Sequence, residues 1–440
     1  MSTNNSFSWP NWPDITDDAT TLKPYLDDPE YAAAKQKITE MFGQENLMQG
    51  WIKTCTELEA LAKEVREKRA GIFPVVEMDD ITQGLVAPEK LDEIRRVGSF
   101  IVKGVISSSE IEPVYENLKE YIANNKDEIT GYPNENPVIY CVYSSPAQND
   151  LRSHPQLVDL MRWVNNLWDY SKSDPDASPD PLAYADRVRV RAPGAEFIGL
   201  GPHIDSGGLC RWTEPVYREV YSDIFSGNLE GRNRYNMSKR KDADQGFYRG
   251  SGDLASTVLR SFQGWTALTK TAPQEGTILL YPNVHLAIAY VLLRPFFCPP
   301  ADKTKIMDPH EWTFDASGSW FPGTSKTGGQ CLSPSSHPHL RLKECLLHVP
   351  ALDAGDTVWW HSDVCHAVDP EHVGNIEASV AYIAATPTTR INKEHMRDQY
   401  DKMVMGLAPP DYSDGVDESK FKGFQGFEGK EALFKTLMGY

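Results

Sequence analysis

From residue 184 to residue 384 the chain breaks into short β-branched or aromatic runs, most of them bounded by Gly or Pro. The first, YADRVRVRAPG at 184–194, closes on Pro-Gly, and others follow at 261–269, 276–282, 285–297, 346–350, 356–361 and 378–384. Runs of this length and punctuation read as strands. No helical pattern alternates with them and no Gly-rich phosphate loop follows any of them, so parallel βαβ units are disfavoured. Helical spacing collects towards the two ends. It covers 30–41 and 48–70, where Trp51, Ile52, Leu58, Leu61 and Val65 line one side, then 88–97, 107–124 and 157–170, and finally 393–405 and 430–438. Strands in the middle with helices at both ends predict an α+β chain: a β-sandwich or barrel wrapped by N- and C-terminal helices.

The same punctuation divides the chain. Residues 1–84 read as an irregular arm and a helical extension. Residues 85–390 form the main body, with polar or Pro/Ser/Gly-rich insertions at 210–260 and 298–340, the second placed to act as a lid. Residues 391–440 are a C-terminal helical segment. The stretch 171–182, SKSDPDASPDPL, reads as a solvated loop.

Composition narrows the function. With 44 basic against 62 acidic residues the formal net charge is -18, which argues against nucleic acid or an anionic membrane as partner and for a small molecule. No apolar run is long enough to span a bilayer, and the start, MSTNNSFSWPNWPD, lacks the pattern of a signal peptide. The seven cysteines are odd in number and contain no CxxC, which fits reduced thiols in the cytoplasm better than disulfides or a zinc site.

Against this background GLGPHIDSGGL, 199–209, stands out. Residues i and i+2 of a strand point the same way, so His203 and Asp205 set an imidazole beside a carboxylate. That is two thirds of the 2-His-1-carboxylate triad that holds non-haem Fe(II) with open positions. The missing histidine lies in GDTVWWHSDVCHAVDP, 355–370, which offers His361 and His366.

GPHID followed much later by this stretch resembles the Fe(II)/2-oxoglutarate-dependent oxygenases of double-stranded β-helix (jelly-roll) fold. Within them it is similar to the phytanoyl-CoA hydroxylase-like members, and most of all to a family of fungal and bacterial proteins. GTILLYPNVHLAIAYVLLRPFF, 276–297, adds to the likeness, which spans roughly residues 85–390. In such enzymes the distal histidine precedes a short apolar step, as in His-Ala-Val, so the resemblance implies His366 over His361. It also implies Fe(II), 2-oxoglutarate as cosubstrate and O2.

One departure stands against the resemblance. The arginine that binds 2-oxoglutarate usually follows the distal histidine by ten to fifteen residues, yet 376–381 holds none and the first arginine after it is Arg390. Candidates to replace it are Arg189 and Arg191, which share a strand face with Arg187, and Arg294 in the apolar run ending RPFF. A buried arginine needs a partner, and a dicarboxylate could form a bidentate pair with it; internal salt bridges are the plainer alternative. Tyr140 and Tyr143, in the tyrosine-rich loop 131–150, and His361 are the candidates to line a substrate pocket. His285 and His348 read as core histidines.

The resulting expectation is an oxygenase acting on a C–H bond of a small metabolite. Some fungal members of the resembling group close an aziridine ring on valine, so a branched amino acid is the first substrate to expect, by hydroxylation or ring closure. Two rival readings are a non-catalytic β-barrel binding protein and a zinc hydrolase using the same triad. The latter is disfavoured because no general-base glutamate stands beside the ligands as in HExxH.

Overall fold

The structure is a computed structural model that describes residues 9–16, 23, 25–171, 175–195, 197, 199–205, 207–229, 233–249, 256–412 and 414–440. It is a mixed α+β fold with one large sheet, one smaller sheet and a two-stranded ribbon. The large sheet runs in the order Val75–Glu77, Ser99–Lys103, Thr357–His361, Phe262–Ala267, Ala378–Thr389, Val188–Arg191, Ile139–Tyr140, Gly131–Tyr132. Ala177–Leu182 pairs with the far end of Ala378–Thr389. The smaller sheet runs Gln330–Cys331, Leu200–Ile204, His366–Val368, Ile278–Leu280, Leu347–His348.

In chain order the central strands switch between the sheets. Val188–Arg191 is in the large sheet, Leu200–Ile204 in the small, Phe262–Ala267 in the large, Ile278–Leu280 and Leu347–His348 in the small. Thr357–His361, His366–Val368 and Ala378–Thr389 then go large, small, large. Side-chain alternation gives each large-sheet strand two roles. Val358, Trp360, Trp265, Ala267 and Val380 share one core with Ile204, Leu279, Leu280 and Ala367 of the small sheet. Their neighbours Trp359, Phe262, Val188, Ala381, Ile383 and Ala385 face the other way, onto a second core with Leu157, Leu160 and Met161 of the Pro155–Asn165 helix.

Local signals explain where helices start and stop. Pro88–Val97 has Pro in its first turn and ends at Gly98 with φ +79°. Ser108–Asn124 opens on a capping box of Ser107 and Glu110. The long helix Gln44–Lys68 buries Trp51, Leu58, Leu61 and Val65, the face its spacing predicts. Its partner is a surprise. Residues 285–297, expected as a strand, form the helix Val284–Leu293 followed by a short 3-10 turn, Arg294–Phe296. Asn283 caps it by accepting from the Leu286 amide. Apart from His285 the helix is buried along its length and almost wholly apolar, so it has little periodicity to distinguish it from a strand. Trp51 stacks on its Tyr290 and on Phe297.

Two further expectations change. Part of 171–182 is the strand Ala177–Leu182, and the 210–260 insertion holds four short helices: Cys210–Thr213, Pro215–Val220, Ser222–Phe225 and Met237–Arg240. Residues 230–232 and 250–255 of that insertion lie outside the described residues. Among the described residues no helix is long and apolar enough to cross a membrane.

Candidate metal centre and its cationic surroundings

His203 and His366 sit directly opposite each other on the neighbouring antiparallel strands Leu200–Ile204 and His366–Val368. Paired residues share a face, and their rings lie 4.2 Å apart between centroids. Asp205 follows just past the strand end. Its Oδ1 lies 3.2 Å from His203 Nε2 and its Oδ2 3.4 Å from His366 Nε2. The three side chains can each offer one ligand atom with all of these atoms within 4.8 Å of one another. Close approaches hold the Leu200–Ile204 strand and the turn after it in place. At Gly208 a Cβ would come 2.1 Å from the Ser325 carbonyl oxygen, so the turn after Asp205 admits only glycine. On the other side Trp12, from the N-terminal arm, packs against Gly201.

The ring hydrogen bonds fix the tautomers. His203 Nδ1 lies 2.7 Å from the Gly201 carbonyl and His366 Nδ1 3.1 Å from the Val364 carbonyl. A carbonyl only accepts, so Nδ1 carries the hydrogen in both rings and Nε2 is left with its lone pair facing Asp205. Two lone pairs and a carboxylate converging on one point repel unless a proton or a cation stands between them. The electrostatics agree. Burial pushes the Asp205 carboxyl up, but His366 and His203 hold it well below the usual range. Burial pulls His203 down, yet the charge and hydrogen bond of Asp205 leave it raised; His366, which also feels His203, is lowered. Two imidazole nitrogens and a carboxylate oxygen fit a divalent first-row metal such as Fe(II) or Zn(II).

His361 does not join them. It points to the opposite face of its strand, stacks 4.9 Å from Trp168, accepts from the Asp363 amide through Nδ1, and has Nε2 3.3 Å from the Arg234 carbonyl. Burial lowers its pKa to about 4. It is a core residue, and the expectation that it lines a substrate pocket is corrected. Tyr140 and Tyr143 also lie elsewhere. Tyr140 pairs with Val188 and so shares the outer face of the large sheet. Tyr143 is buried in a separate cluster, where its hydroxyl donates to Asp414 and its ring meets Tyr412 at 4.7 Å.

The three arginine candidates separate cleanly. Arg294 stands in a 3-10 turn, donates to the carbonyls of Ser336 and Phe297, and lies 4.6 Å over the Trp312 ring. Strand alternation does not apply to it, and its expected role as cosubstrate anchor is corrected. Arg191 is committed to the chain after the distal histidine, donating to the carbonyls of Asp369 and Pro370. Arg189 is 3% exposed, and no hydrogen bond or ion pair holds it among the described residues. It pairs across the strands with Val380. The residue that would carry the missing arginine lies in this part of Ala378–Thr389, so Arg189 brings a guanidinium to the same place from the next strand.

Three residues that sequence patterns did not single out complete the surroundings. Tyr382 is next on the inner face after Val380, and the charges of Arg189, Arg187, Asp186 and Asp205 all act on its phenol. Gln263 shares that face and leaves its Nε2 without an acceptor. Arg260 lies 5.4 Å over the Tyr184 ring and is also acted on by Asp205. Gln263 could have been found from its alternation with Trp265. Arg260 precedes its strand and has no periodic signal.

Comparison with known proteins agrees with this architecture. The uncharacterized protein YbiU of Escherichia coli K12 is 31% identical over 369 residues, covering 80% of this chain and 82% of that protein. The crystal structure of the GlcNAc Inducible Gene 2 protein of Candida albicans superposes with TM-score 0.83 at 26% identity, over 94% of this chain and 89% of that one. A Salmonella typhimurium LT2 protein described as a candidate oxidoreductase gives TM-score 0.82 at 27% identity, over 94% and 98%. These relatives are fungal and bacterial, as the resemblance implied. The sequence profile of the Gig2-like family matches residues 25–433, and the chain belongs to that family.

Proposed function

We propose that this protein is a non-haem Fe(II)- and 2-oxoglutarate-dependent oxygenase that oxidises a C–H bond of a small metabolite. The observation that carries the reading is the juxtaposition of two features. A two-histidine, one-carboxylate cluster lies on the small sheet, and a buried, unpaired Arg189 lies on the facing sheet. The order in which the strands switch sheets supports a double-stranded β-helix, with 1–84 and 391–440 as additions around a body at 85–390. One relative's description as an oxidoreductase points the same way.

In this reading His203, Asp205 and His366 hold the iron. With 2-oxoglutarate and O2 bound, the iron would supply the oxidising power, coupling decarboxylation of the cosubstrate to oxidation of the substrate. The chain's own part is to bind and orient. Arg189 pairs with the distal carboxylate of 2-oxoglutarate, Gly201 and Val364 hold the two imidazoles in the ligating tautomer, and Trp360, 5.2 Å from the His366 ring, keeps water from that side. A branched amino acid remains the first substrate to try, with hydroxylation or ring closure as the outcome.

The test is anaerobic titration with Fe(II) and 2-oxoglutarate, followed by succinate formation in air. A weak visible charge-transfer band and succinate are expected. His203→Ala and His366→Ala should lose both with their iron, whereas His361→Ala should keep its iron. Stoichiometric zinc with hydrolysis and no oxygen uptake would establish the zinc enzyme instead; no metal binding at all would leave a binding protein.

A further inference from the structure

Two arginines whose side chains have no hydrogen bond or ion pair among the described residues stand near opposite ends of the large sheet's inner face, and the reading above uses only one. Strand register places the first. On the inner face of the large sheet, Arg189, Val380 and Ala267 form one cross-strand row, Val358, Trp265 and Tyr382 the next, and Trp360, Gln263 and Ala384 a third. Rows of this kind are roughly 7 Å apart. Trp360 touches His366, so the third row is level with the triad. Arg189 therefore enters two rows to one side. Arg260 stands three residues before Gln263 in the chain, past the other end of these rows, and the charge of Asp205 acts on it.

Arg260 is held only by its ring contact. Its guanidinium stands over Tyr184, whose own hydroxyl is occupied in donating to Asp411 at 2.8 Å. Among the described residues it has no hydrogen bond or ion pair, and its Nε is buried without an acceptor. Gln263 is 5% exposed and its Nε2 is in the same condition. Buried donors are rarely left unsatisfied, and a cation without a counter-ion calls for an anionic acceptor. The nearby carboxylate of Asp205 faces the two imidazoles instead. A guanidinium stacked on a ring leaves its edge free, and that edge matches the two oxygens of a carboxylate.

We propose that Arg260 binds the carboxylate of the substrate, with the Gln263 amide as a second donor, so that the substrates are small carboxylic acids, free amino acids among them. The naming of this ligand as substrate rests on the oxygenase reading; the anion site itself does not. Cosubstrate and substrate are then held by separate arginines on opposite sides of the triad, and neither has to displace the other.

The experiment compares the full-length protein with Arg260→Met and Arg260→Lys. The probes are short aliphatic carboxylic acids and free L-amino acids, each beside its carboxamide. Binding is measured by calorimetry, on protein loaded anaerobically with Fe(II) and 2-oxoglutarate and on metal-free protein, after melting curves show that the variants fold. At least one acid is expected to bind about tenfold or more tightly than its carboxamide. Arg260→Met should remove that preference without weakening 2-oxoglutarate, and Arg260→Lys should restore part of it. Equal binding of acids and carboxamides would overturn the proposal, as would an Arg260→Met variant that loses 2-oxoglutarate and keeps the preference. If the protein fails to load Fe(II) or 2-oxoglutarate, the oxygenase reading falls. An acid preference in the metal-free protein that depends on Arg260 would still uphold the anion site, and its absence there would sink it.

Discussion

Two groups of arginines near the candidate metal centre, the first wholly buried and the second partly, are built in opposite ways. In the first, Arg211 and Arg240 converge on Asp363. Arg211 Nη1 lies 2.8 Å from Asp363 Oδ1 and Arg240 Nη2 3.3 Å from it. The Tyr221 hydroxyl donates to the same carboxylate at 3.0 Å while accepting from both arginines, and Arg240 also donates to the Tyr217 hydroxyl. In the second group Arg189 is buried and Arg260 half-buried, and neither side chain makes a hydrogen bond or ion pair among the described residues, although the charges of Asp205 and Asp186 act on Arg260. A buried charge that is fully paired fixes a conformation; one left unpaired costs free energy that only a ligand recovers. The first group ties the helices of the 210–260 insertion to the turn between Thr357–His361 and His366–Val368. The contrast separates arginines that hold the fold from arginines with no partner, without reference to any ligand.

The largest effect should come from breaking the paired group. Asp363→Ala strands two guanidiniums in a dry interior, and removing one partner of a buried pair typically costs about 3–5 kcal/mol. A fall in melting temperature and in soluble yield is expected, with or without ligands. A variant that melts with the wild type would mean that the network is not holding the insertion. The unpaired group should behave in the reverse manner. Arg189→Leu removes a charge that has no partner, so stability in the ligand-free protein should stay level or rise. Binding of 2-oxoglutarate should weaken by about 1.5–3 kcal/mol, roughly tenfold to a hundredfold. Arg294→Met should leave 2-oxoglutarate binding where it was, because its donors serve Ser336 and Phe297. Loss of stability in Arg189→Leu without loss of cosubstrate would erase the distinction between the two groups.

How much of this could be read in the sequence follows from what each feature depends on. His203 and Asp205 were legible because a strand puts i and i+2 on one face, and the helices at 88–97 and 108–124 because Pro, Ser107 and Glu110 mark their starts. His366 needed the resemblance, since both it and His361 stand in strands and the sequence does not say which strand joins which sheet. Helix Val284–Leu293 was hidden by its near-complete burial, which removes the polar face that gives a helix its period. The tyrosine loop misled for a related reason. Tyr143 does meet a carboxylate, but deep in a structural cluster with Asp414, Tyr412 and Val416. Which arginine is paired depends on residues far away in the chain, Asp369 and Pro370 for Arg191 and Asp363 for Arg211, and no local pattern reports that.

The last expected effect depends on pH and concerns a buried charge between these extremes. Glu418 accepts from the Tyr143 and Ser144 amides at 2.7 and 2.9 Å and from the Tyr121 hydroxyl at 3.1 Å. It is 1% exposed, and no salt bridge reaches it among the described residues; the nearby Arg152 donates to the carbonyls of Tyr143 and Asp186 instead. Burial pushes its carboxyl up to about 7, against the pull of those donors. The folded state therefore holds the proton more tightly than the unfolded chain. Between the ordinary carboxylate range and about pH 7 the native protein binds more protons than the unfolded one, so this group lowers stability as pH rises, by at most about 1.4 kcal/mol per pH unit. Above that window its contribution is flat. Glu418→Gln can still accept both amides through Oε1, while the Tyr121 hydroxyl turns to accept from the new amide. The difference in melting temperature between variant and wild type should therefore grow in the variant's favour from about pH 5 to about pH 8. A difference that is constant with pH, or that grows the other way, would place Glu418 with the fully paired charges around Asp363.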